Sequence, residues 1–147
     1  MPAYTIEPLV TATAVNTGGR NGHSETTDHS VSVDLSVRKE MGGPGLPNTT
    51  TPEHLFAAGY AACFGGALEF AASQKKQNVK GAIVTCSTSV GPREGGGYGI
   101  AVKMHVKVPT LPTEQARVLV EEAHEKVCPY SHATRGNIEF ILEVEGQ

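Results

Sequence analysis

The sequence has no tryptophan, only three cysteines and no excess of positive charge among its 147 residues. Its 12 Lys and Arg residues face 15 Asp and Glu residues, which gives a net charge of −3. This balance offers no electrostatic attraction for nucleic acid or an anionic membrane, so neither is predicted as a partner. The cysteines are odd in number and widely spaced, unlike those of a secreted disulfide scaffold, and they favour a reducing cytoplasm.

The chain also lacks internal repeats and low-complexity segments, and its length predicts a single domain over residues 1–147. Its first ten residues, MPAYTIEPLV, contain neither a basic region nor a continuous apolar stretch. No secretory signal is therefore expected.

The dominant feature is an apolar stretch from Leu55 to Ala72, which only Glu69 interrupts with charge. Thr51 is a suitable N-cap and Pro52 suits the first helical position, so the stretch predicts a helix. Because it is apolar around most of its circumference, we expect it to be buried. Its length reaches the transmembrane range, but its glycines and the amphipathic pattern around it favour a core helix.

Cys63 lies in the middle of this helix and is followed by Gly65 and Gly66. Each glycine costs roughly 1 kcal/mol relative to alanine in a helix. Either a neighbouring backbone comes close or a ligand needs access to Cys63. A buried cysteine on its own is more often a small hydrophobic residue.

The remaining pattern predicts an α+β fold of order βββ-α-ββ-α-β with a mostly antiparallel sheet. A glycine-rich turn at 16–22 carries Arg20, and the loop from Glu40 to Thr50 has no regular pattern. A second helix begins near Thr113 and ends before Pro129. The predicted strands cover residues 3–15, 23–27, 31–38, 79–90, 98–108 and 138–144, and a short turn covers 130–136.

Cys63 and Cys128 are the first candidate pair. A thiol peroxidase needs one thiolate to attack the peroxide bond and a second thiol to resolve the resulting sulfenic acid. Two unrelated structural cysteines are the alternative, since spacing alone does not show that the two are close. Cys86 shares the interior face of a strand with Val84 and is predicted to be a packing residue.

Two charged residues could act on a thiol. A guanidinium from Arg20 would lower a cysteine pKa by roughly 1–3 units at contact distance, although a solvated turn arginine is commoner. Glu53 either complements the helix dipole or holds Arg20 in a bidentate pair.

Histidines offer weaker candidates. His124, Cys128 and His132 have a helical metal-ligand spacing, but Pro129 interrupts it and no metal site is predicted. His54 lies nine residues before Cys63, about 13 Å away on a straight helix. It cannot serve as the base of Cys63 within one chain, which weakens the case for a Cys–His hydrolase.

Three ordered motifs carry a resemblance that covers about Tyr4 to Val144. They are TATAVNTGGRNG at 11–22, NTTTPEHLFAAGYAACFGGAL at 48–68 and EKVCPYSHATRGNIEF at 125–140. The sequence resembles the organic hydroperoxide resistance branch of the superfamily that also contains osmotically inducible protein C. The VCPYS block is typical of this branch.

The resemblance implies a peroxidase without metal or haem that reduces organic hydroperoxides, including those of fatty acids. It implies that Cys63 is peroxidatic, that Cys128 resolves it as a disulfide, and that Arg20 and Glu53 keep Cys63 as thiolate. It further implies re-reduction by a dihydrolipoyl group on a lipoylated protein. The implied fold is an intertwined homodimer whose central helices are wrapped by sheets.

An apolar wall beside Cys63 would suit a lipid-like substrate tail. The candidate contact residues are Phe56, Tyr60, Phe64 and Met41. The rival interpretation is a non-enzymatic dimeric binding module whose buried thiols only fill a core around an apolar ligand.

The spacing of Glu53 and Cys63 raises a further question. Ten residues separate them, or roughly 15 Å along one helix, which a glutamate side chain cannot span. Either the helix breaks near Gly59, or Arg20 and Glu53 serve the Cys63 of the other subunit. The small residues of the helix favour close contact with a partner helix, so we predict a shared site.

Overall fold

The computed structural model describes the whole chain, Met1–Gln147. It divides into two compact units, Met1–Pro52 and Glu53–Gln147. We refer to them as the N-terminal and C-terminal units.

The N-terminal unit is a three-stranded antiparallel sheet in the order β1-β2-β3. Short 3-10 turns at Gly19–Asn21 and Lys39–Met41 follow β1 and β3. Gly18 and Gly19 have φ values of 86° and 64°, which glycine adopts without a steric penalty. The strands are β1 (Ala14–Thr17), β2 (His23–Thr26) and β3 (Ser32–Asp34).

The predicted meander is confirmed, but two of its strand bounds are wrong. Residues 3–13 contain no regular secondary structure, and β1 begins only at Ala14. The third strand is limited to Ser32–Asp34, followed by a single bridge between Leu35 and Thr50. Alternating residues predict a strand's faces but not whether a neighbour pairs with them, so the alternation overestimated both lengths.

The C-terminal unit packs helices on a second three-stranded sheet in the order β4-β5-β6. Strands β4 and β5 are antiparallel, as predicted, whereas β5 and β6 are parallel. A π-helical turn, Ala123–Val127, continues the second helix. The elements are α1 (Pro52–Gln74), β4 (Ile83–Pro92), β5 (Tyr98–Lys107), α2 (Thr113–Glu122), α3 (Pro129–Thr134) and β6 (Glu139–Glu145).

The short turn predicted at 130–136 is wrong, because α3 occupies most of it. Proline cannot continue the preceding helix, but its fixed φ and missing N–H suit the first position of a new one. Pro129 therefore ends one helical segment and begins the next.

Helix α1 contributes one face to the core of this unit. Its buried side chains pack with those of α2 and the sheet, and Tyr60, Phe64 and Leu68 are the largest of them. The opposite face is exposed at Ala58, Ala62, Gly66 and Phe70. The prediction that α1 is buried around most of its circumference is therefore not met within one chain.

By length and composition alone, α1 is the one helix that could cross a membrane. The core helix of a soluble protein passes the same test, and one face of α1 packs into the core of its unit.

Candidate functional site

The structure brings the first candidate pair together. Cys128 Sγ donates a hydrogen bond to Cys63 Sγ over 3.5 Å, across 65 residues of sequence. Both cysteines are free thiols; Cys63 is partly exposed and Cys128 is completely buried. The two sulfurs are about 1.5 Å further apart than in a disulfide of about 2.05 Å, so they could join after a small movement.

The π-helical turn determines where Cys128 lies. The backbone N–H of Cys128 donates to the carbonyl of Ala123 over 2.8 Å, a bond that skips one residue more than an α-helix does. Cys128 itself is extended, with φ −67° and ψ 117°. The chain therefore turns sharply at this thiol before α3 begins.

The surroundings of Cys63 act on its pKa in opposite directions. Burial has the largest effect and raises the pKa of the thiol, while a hydrogen bond from the backbone N–H of Tyr130 lowers it. The neighbouring Cys128 raises the pKa again, because two adjacent sulfurs do not ionise together readily. A thiolate at Cys63 therefore needs additional stabilisation, which a cation ordinarily supplies.

A buried polar network lies beside the two thiols. Tyr60 Oη is 2.8 Å from Ser131 Oγ and 3.1 Å from Thr134 Oγ1. Ser131 Oγ is also 2.9 Å from Nδ1 of His124, whose ring stacks on Phe140 with centroids 4.4 Å apart. Burial is the main cause that lowers the pKa of His124, so the neutral ring is favoured.

An apolar cleft of about 230 Å³ opens next to α1 and α3. It is lined by Phe56, Tyr130, Ala133 and Thr134. The Tyr130 ring lies across α1 at Gly59, where an added Cβ would come within 3.0 Å of Tyr130 Oη. Gly59 thus provides the space in which this aromatic side chain packs beside the helix.

A family model described as OsmC-like protein matches residues 43–143. The organic hydroperoxide resistance protein of Xanthomonas axonopodis pv. citri is 46% identical over 135 residues, which cover 91% of this chain and 93% of the relative. The chain belongs to the organic hydroperoxide resistance branch of the OsmC-like family.

Solved structures from this branch have the same fold. The Elizabethkingia anophelis protein, with thiocyanate bound, matches with a TM-score of 0.90 and 40% identity, covering 97% of this chain and 100% of that one. The Vibrio cholerae protein, with captopril in one of its active sites, has a TM-score of 0.90 and 41% identity. That match covers 99% of each chain.

Of the predicted wall residues, Phe56 lines the cleft of this OsmC-like chain. Tyr60 and Phe64 are fully buried, so they present no surface to a substrate within this chain. Their spacing of four residues places all three near one face of α1, and that face turns into the core. Met41, on a 3-10 turn of the N-terminal unit, is exposed.

Arg20 lies in the 3-10 turn after β1, which a single asparagine holds together. The Asn16 amide donates to Ser24 Oγ over 2.9 Å, and its carbonyl oxygen accepts from the backbone N–H of Gly19 over 2.8 Å. The predicted polar turn is thus present. Whether Arg20 acts on Cys63 stays a prediction.

Glu53 lies in the first turn of α1, ten residues before Cys63. The helix is continuous through Gly59, so the predicted alternative of a break at that residue is wrong. A Glu53 that serves the Cys63 of its own chain would have to span roughly 15 Å along the helix axis.

Cys86 is partly buried on the interior face of β4, with its sulfur 3.8 Å from Thr88 Oγ1. Burial raises the pKa of this thiol. These observations agree with the predicted packing role.

The histidines with metal-like spacing have other contacts. His124 takes part in the buried network, and Nδ1 of His132 lies 3.1 Å from the carbonyl oxygen of Cys128. No group of three His, Cys, Asp or Glu side chains in the structure could hold a metal ion.

Sequence reasoning did not identify Tyr130, Ser131 and Thr134 as parts of the site. The VCPYSHAT motif contains all three. The family resemblance assigns a role to the cysteine of this motif, whereas the contacts of the neighbouring residues depend on tertiary packing.

Proposed function

We propose that this OsmC-like protein is a cysteine-based peroxidase that reduces organic hydroperoxides, including those of fatty acids, to alcohols. The observation that carries the proposal is the 3.5 Å contact between a partly exposed Cys63 and a buried Cys128. The partly exposed thiol of Cys63 can react with the peroxide first, and the buried thiol of Cys128 can then attack the oxidised Cys63. The name of the Xanthomonas relative, organic hydroperoxide resistance protein, supports organic hydroperoxide as the substrate class.

The proposed reaction has two steps, oxidation of Cys63 and formation of the disulfide. The Cys63 thiolate attacks the distal peroxide oxygen, the O–O bond breaks, and the alcohol leaves after taking up a proton. The sulfur of Cys128 then attacks Cys63 Sγ, the S–O bond breaks, and the oxygen leaves as water. The product is a disulfide between Cys63 and Cys128.

The first step needs Cys63 as thiolate in a place where burial opposes ionisation. The backbone N–H of Tyr130 supplies one stabilising hydrogen bond. We assign the remaining stabilisation to the guanidinium of Arg20, with Glu53 holding it in a bidentate pair.

The cleft beside Tyr130 suits the tail of the substrate. Its lining is predominantly apolar, and such a surface favours an alkyl or acyl group over hydrogen peroxide. Of the predicted contact residues, Phe56 lines this cleft.

Reduction of the disulfide would start at Cys63. The sulfur of Cys128 is buried, so an external thiolate can reach only the Cys63 side of the bond. A dihydrolipoyl group on a lipoylated protein is the donor we propose, because a dithiol can attack and then close on itself to release the enzyme. No metal or haem takes part in these steps.

The exposed face of α1 supports a homodimer. Ala58, Ala62 and Gly66 are small, and Phe70 is 54% exposed on the same side of the helix. Gly66 has open space around it within the chain, so packing inside one chain does not explain this glycine. A second copy of α1 would bury the face.

The proposed location is the cytoplasm, without membrane or nucleic acid partners.

Thiol titration tests the proposal directly. Adding one equivalent of an alkyl hydroperoxide should remove two of the three thiols per chain and produce one alcohol. The rival, a dimeric binding module for an apolar ligand, is favoured by the burial that raises the pKa of Cys63. It predicts that all three thiols survive, and that result would refute the peroxidase.

A further inference from the structure

A buried hydrogen bond joins the same two segments that carry the thiols. Tyr60 lies about one turn before Cys63 on α1, and Ser131 lies about one turn after Cys128 on α3. Tyr60 Oη and Ser131 Oγ are 2.8 Å apart, and both side chains are fully buried. The thiol contact and this hydrogen bond are therefore neighbouring links between one pair of segments.

His124 attaches this link to the π-helical turn on the other side of Cys128. Its Nδ1 is 2.9 Å from Ser131 Oγ, and its ring lies nearly parallel to that of Phe140 on β6, at 7°. Arg135 Nη1 donates to the carbonyl of His124 over 2.7 Å. The segments before and after Cys128 are thus tied to each other and to the sheet.

The number of protons available determines the direction of the hydrogen bonds. The hydroxyl of Thr134 donates its proton to the carbonyl of Tyr130 over 2.9 Å. Tyr60 must then donate to Thr134, and Ser131 must donate to Tyr60, because each hydroxyl has one proton. The donor to Ser131 is consequently the Nδ1–H of His124. In this direction every hydroxyl proton is used.

We propose that Tyr60, Ser131 and His124 are positioning residues for disulfide formation, because their hydrogen-bonded chain holds Cys128 against Cys63. The inference rests on the peroxidase function proposed above. A fully satisfied buried network fixes one arrangement of its segments. Attack of one sulfur on the other is sensitive to displacement, since an error of about 1 Å can cost roughly 100-fold in rate.

A single-turnover experiment separates the two half-reactions. Protein is mixed with one equivalent of tert-butyl hydroperoxide without reductant and quenched at intervals. Dimedone captures the sulfenic acid, and mass spectrometry after alkylation measures the disulfide. The rate of Cys63 oxidation reports the first step, and conversion of sulfenic acid to disulfide reports the second.

Removing one hydroxyl at a time should slow only the second step. We expect Tyr60→Phe and Ser131→Ala to oxidise Cys63 at nearly the wild-type rate and to form the disulfide about tenfold more slowly. Both variants should accumulate more dimedone adduct. Because the two hydroxyls share one hydrogen bond, the double variant should be little slower than the slower single variant.

Two substitutions of His124 separate its hydrogen bond from its ring stacking. His124→Phe keeps an aromatic ring beside Phe140 but loses the donor, so it should slow disulfide formation. His124→Asn loses the ring but keeps an N–H near the position of Nδ1, so it should recover part of the rate.

Val106→Ala is the control for lost stability. Val106 is fully buried on β5 and contributes no side-chain hydrogen-bonding group. This variant should unfold at a lower temperature because of the cavity. Its ratio of the rate of disulfide formation to the rate of Cys63 oxidation should equal that of the wild type.

Wild-type rates of disulfide formation in both Tyr60→Phe and Ser131→Ala would overturn the inference. Equal slowing of both half-reactions in all variants, Val106→Ala included, would also overturn it, because the network would then only stabilise the fold. Failure of the wild-type chain to form any disulfide would instead overturn the peroxidase function, together with this inference.

Discussion

In the C-terminal unit the thiols lie within a packed core, whereas the N-terminal unit holds Arg20 on a turn tied by exposed hydrogen bonds. The buried residues of the N-terminal unit are Leu35, Ser36 and Thr51. Its side-chain contacts are largely polar and exposed, such as the 2.8 Å contact between His23 and Asp34. The core residues beside Cys63 and Cys128 are mostly apolar and come from helices and strands of the same unit.

This difference separates two requirements of the proposed chemistry. Contact between the sulfurs is set by packing inside one unit. Arg20 instead lies on a turn of a three-stranded sheet that has few buried residues of its own. Substitution of Arg20 should therefore slow the first step, whereas substitutions in the network around Cys128 should slow the second.

The largest effect is expected from Cys63→Ser. The hydroxyl is nearly the size of the thiol, so the fold should survive, but it is a poor nucleophile toward peroxide. Activity with an alkyl hydroperoxide should be abolished while the circular dichroism spectrum is unchanged. Substantial turnover by this variant would remove Cys63 from the mechanism.

Cys128→Ser should preserve the first step and stop the cycle. Each chain should consume about one equivalent of peroxide and accumulate a sulfenic acid that dimedone captures. Multiple turnover with a dihydrolipoyl donor should be lost or much reduced. A variant that remained fully active would show that Cys128 is not the resolving thiol.

Arg20→Ala tests the N-terminal unit. Loss of the guanidinium should raise the pKa of Cys63 by roughly 1–3 units and slow the first step. The pKa can be measured from the pH dependence of alkylation in a variant that retains Cys63 alone. An unchanged pKa would mean that Arg20 does not act on this thiol.

A mixed dimer tests whether the site is shared between subunits. Cys63→Ser and Arg20→Glu are each expected to be inactive. If Arg20 of one subunit serves the Cys63 of the other, a dimer of one variant with the other contains one intact site of two. Co-expression should then recover up to half of the wild-type activity per mixed dimer. Absence of recovery in verified mixed dimers would place both residues of a site in one chain.

The smallest effect is expected from Cys86→Ala. This thiol lies on β4 and its side chain packs in the core, so turnover should stay close to wild type and stability should fall slightly. Thermal unfolding and steady-state activity measure the two properties. A large loss of turnover would contradict the packing role.

The sequence allowed reliable prediction where local chemistry is decisive. The Thr51-Pro52 start led to the correct position for α1, and alternation on β4 placed Cys86 on its interior face. The branch-specific VCPYS motif indicated the family, which the comparisons confirm.

Other features depend on contacts between distant residues. Nothing local reveals that Cys63 and Cys128 meet, or that β6 runs parallel to β5. The π-helical turn before Cys128 requires one additional residue in a helical turn, and apolar periodicity is too coarse to detect it. Tyr60 was predicted to contact substrate because its aromatic character is visible, while its buried hydrogen bonds are not.

Gly59 restricts how this protein can be stabilised. Replacing a helical glycine with alanine commonly adds up to about 1 kcal/mol to helix stability. At Gly59 the new methyl group would lie 3.0 Å from Tyr130 Oη, so the ring would have to move by a few tenths of an ångström. The backbone of the same tyrosine hydrogen-bonds the Cys63 sulfur. Under the proposed mechanism, a gain in thermal stability at this position would therefore weaken the hydrogen bond that stabilises the Cys63 thiolate, so stability and reactivity are opposed at this point of α1.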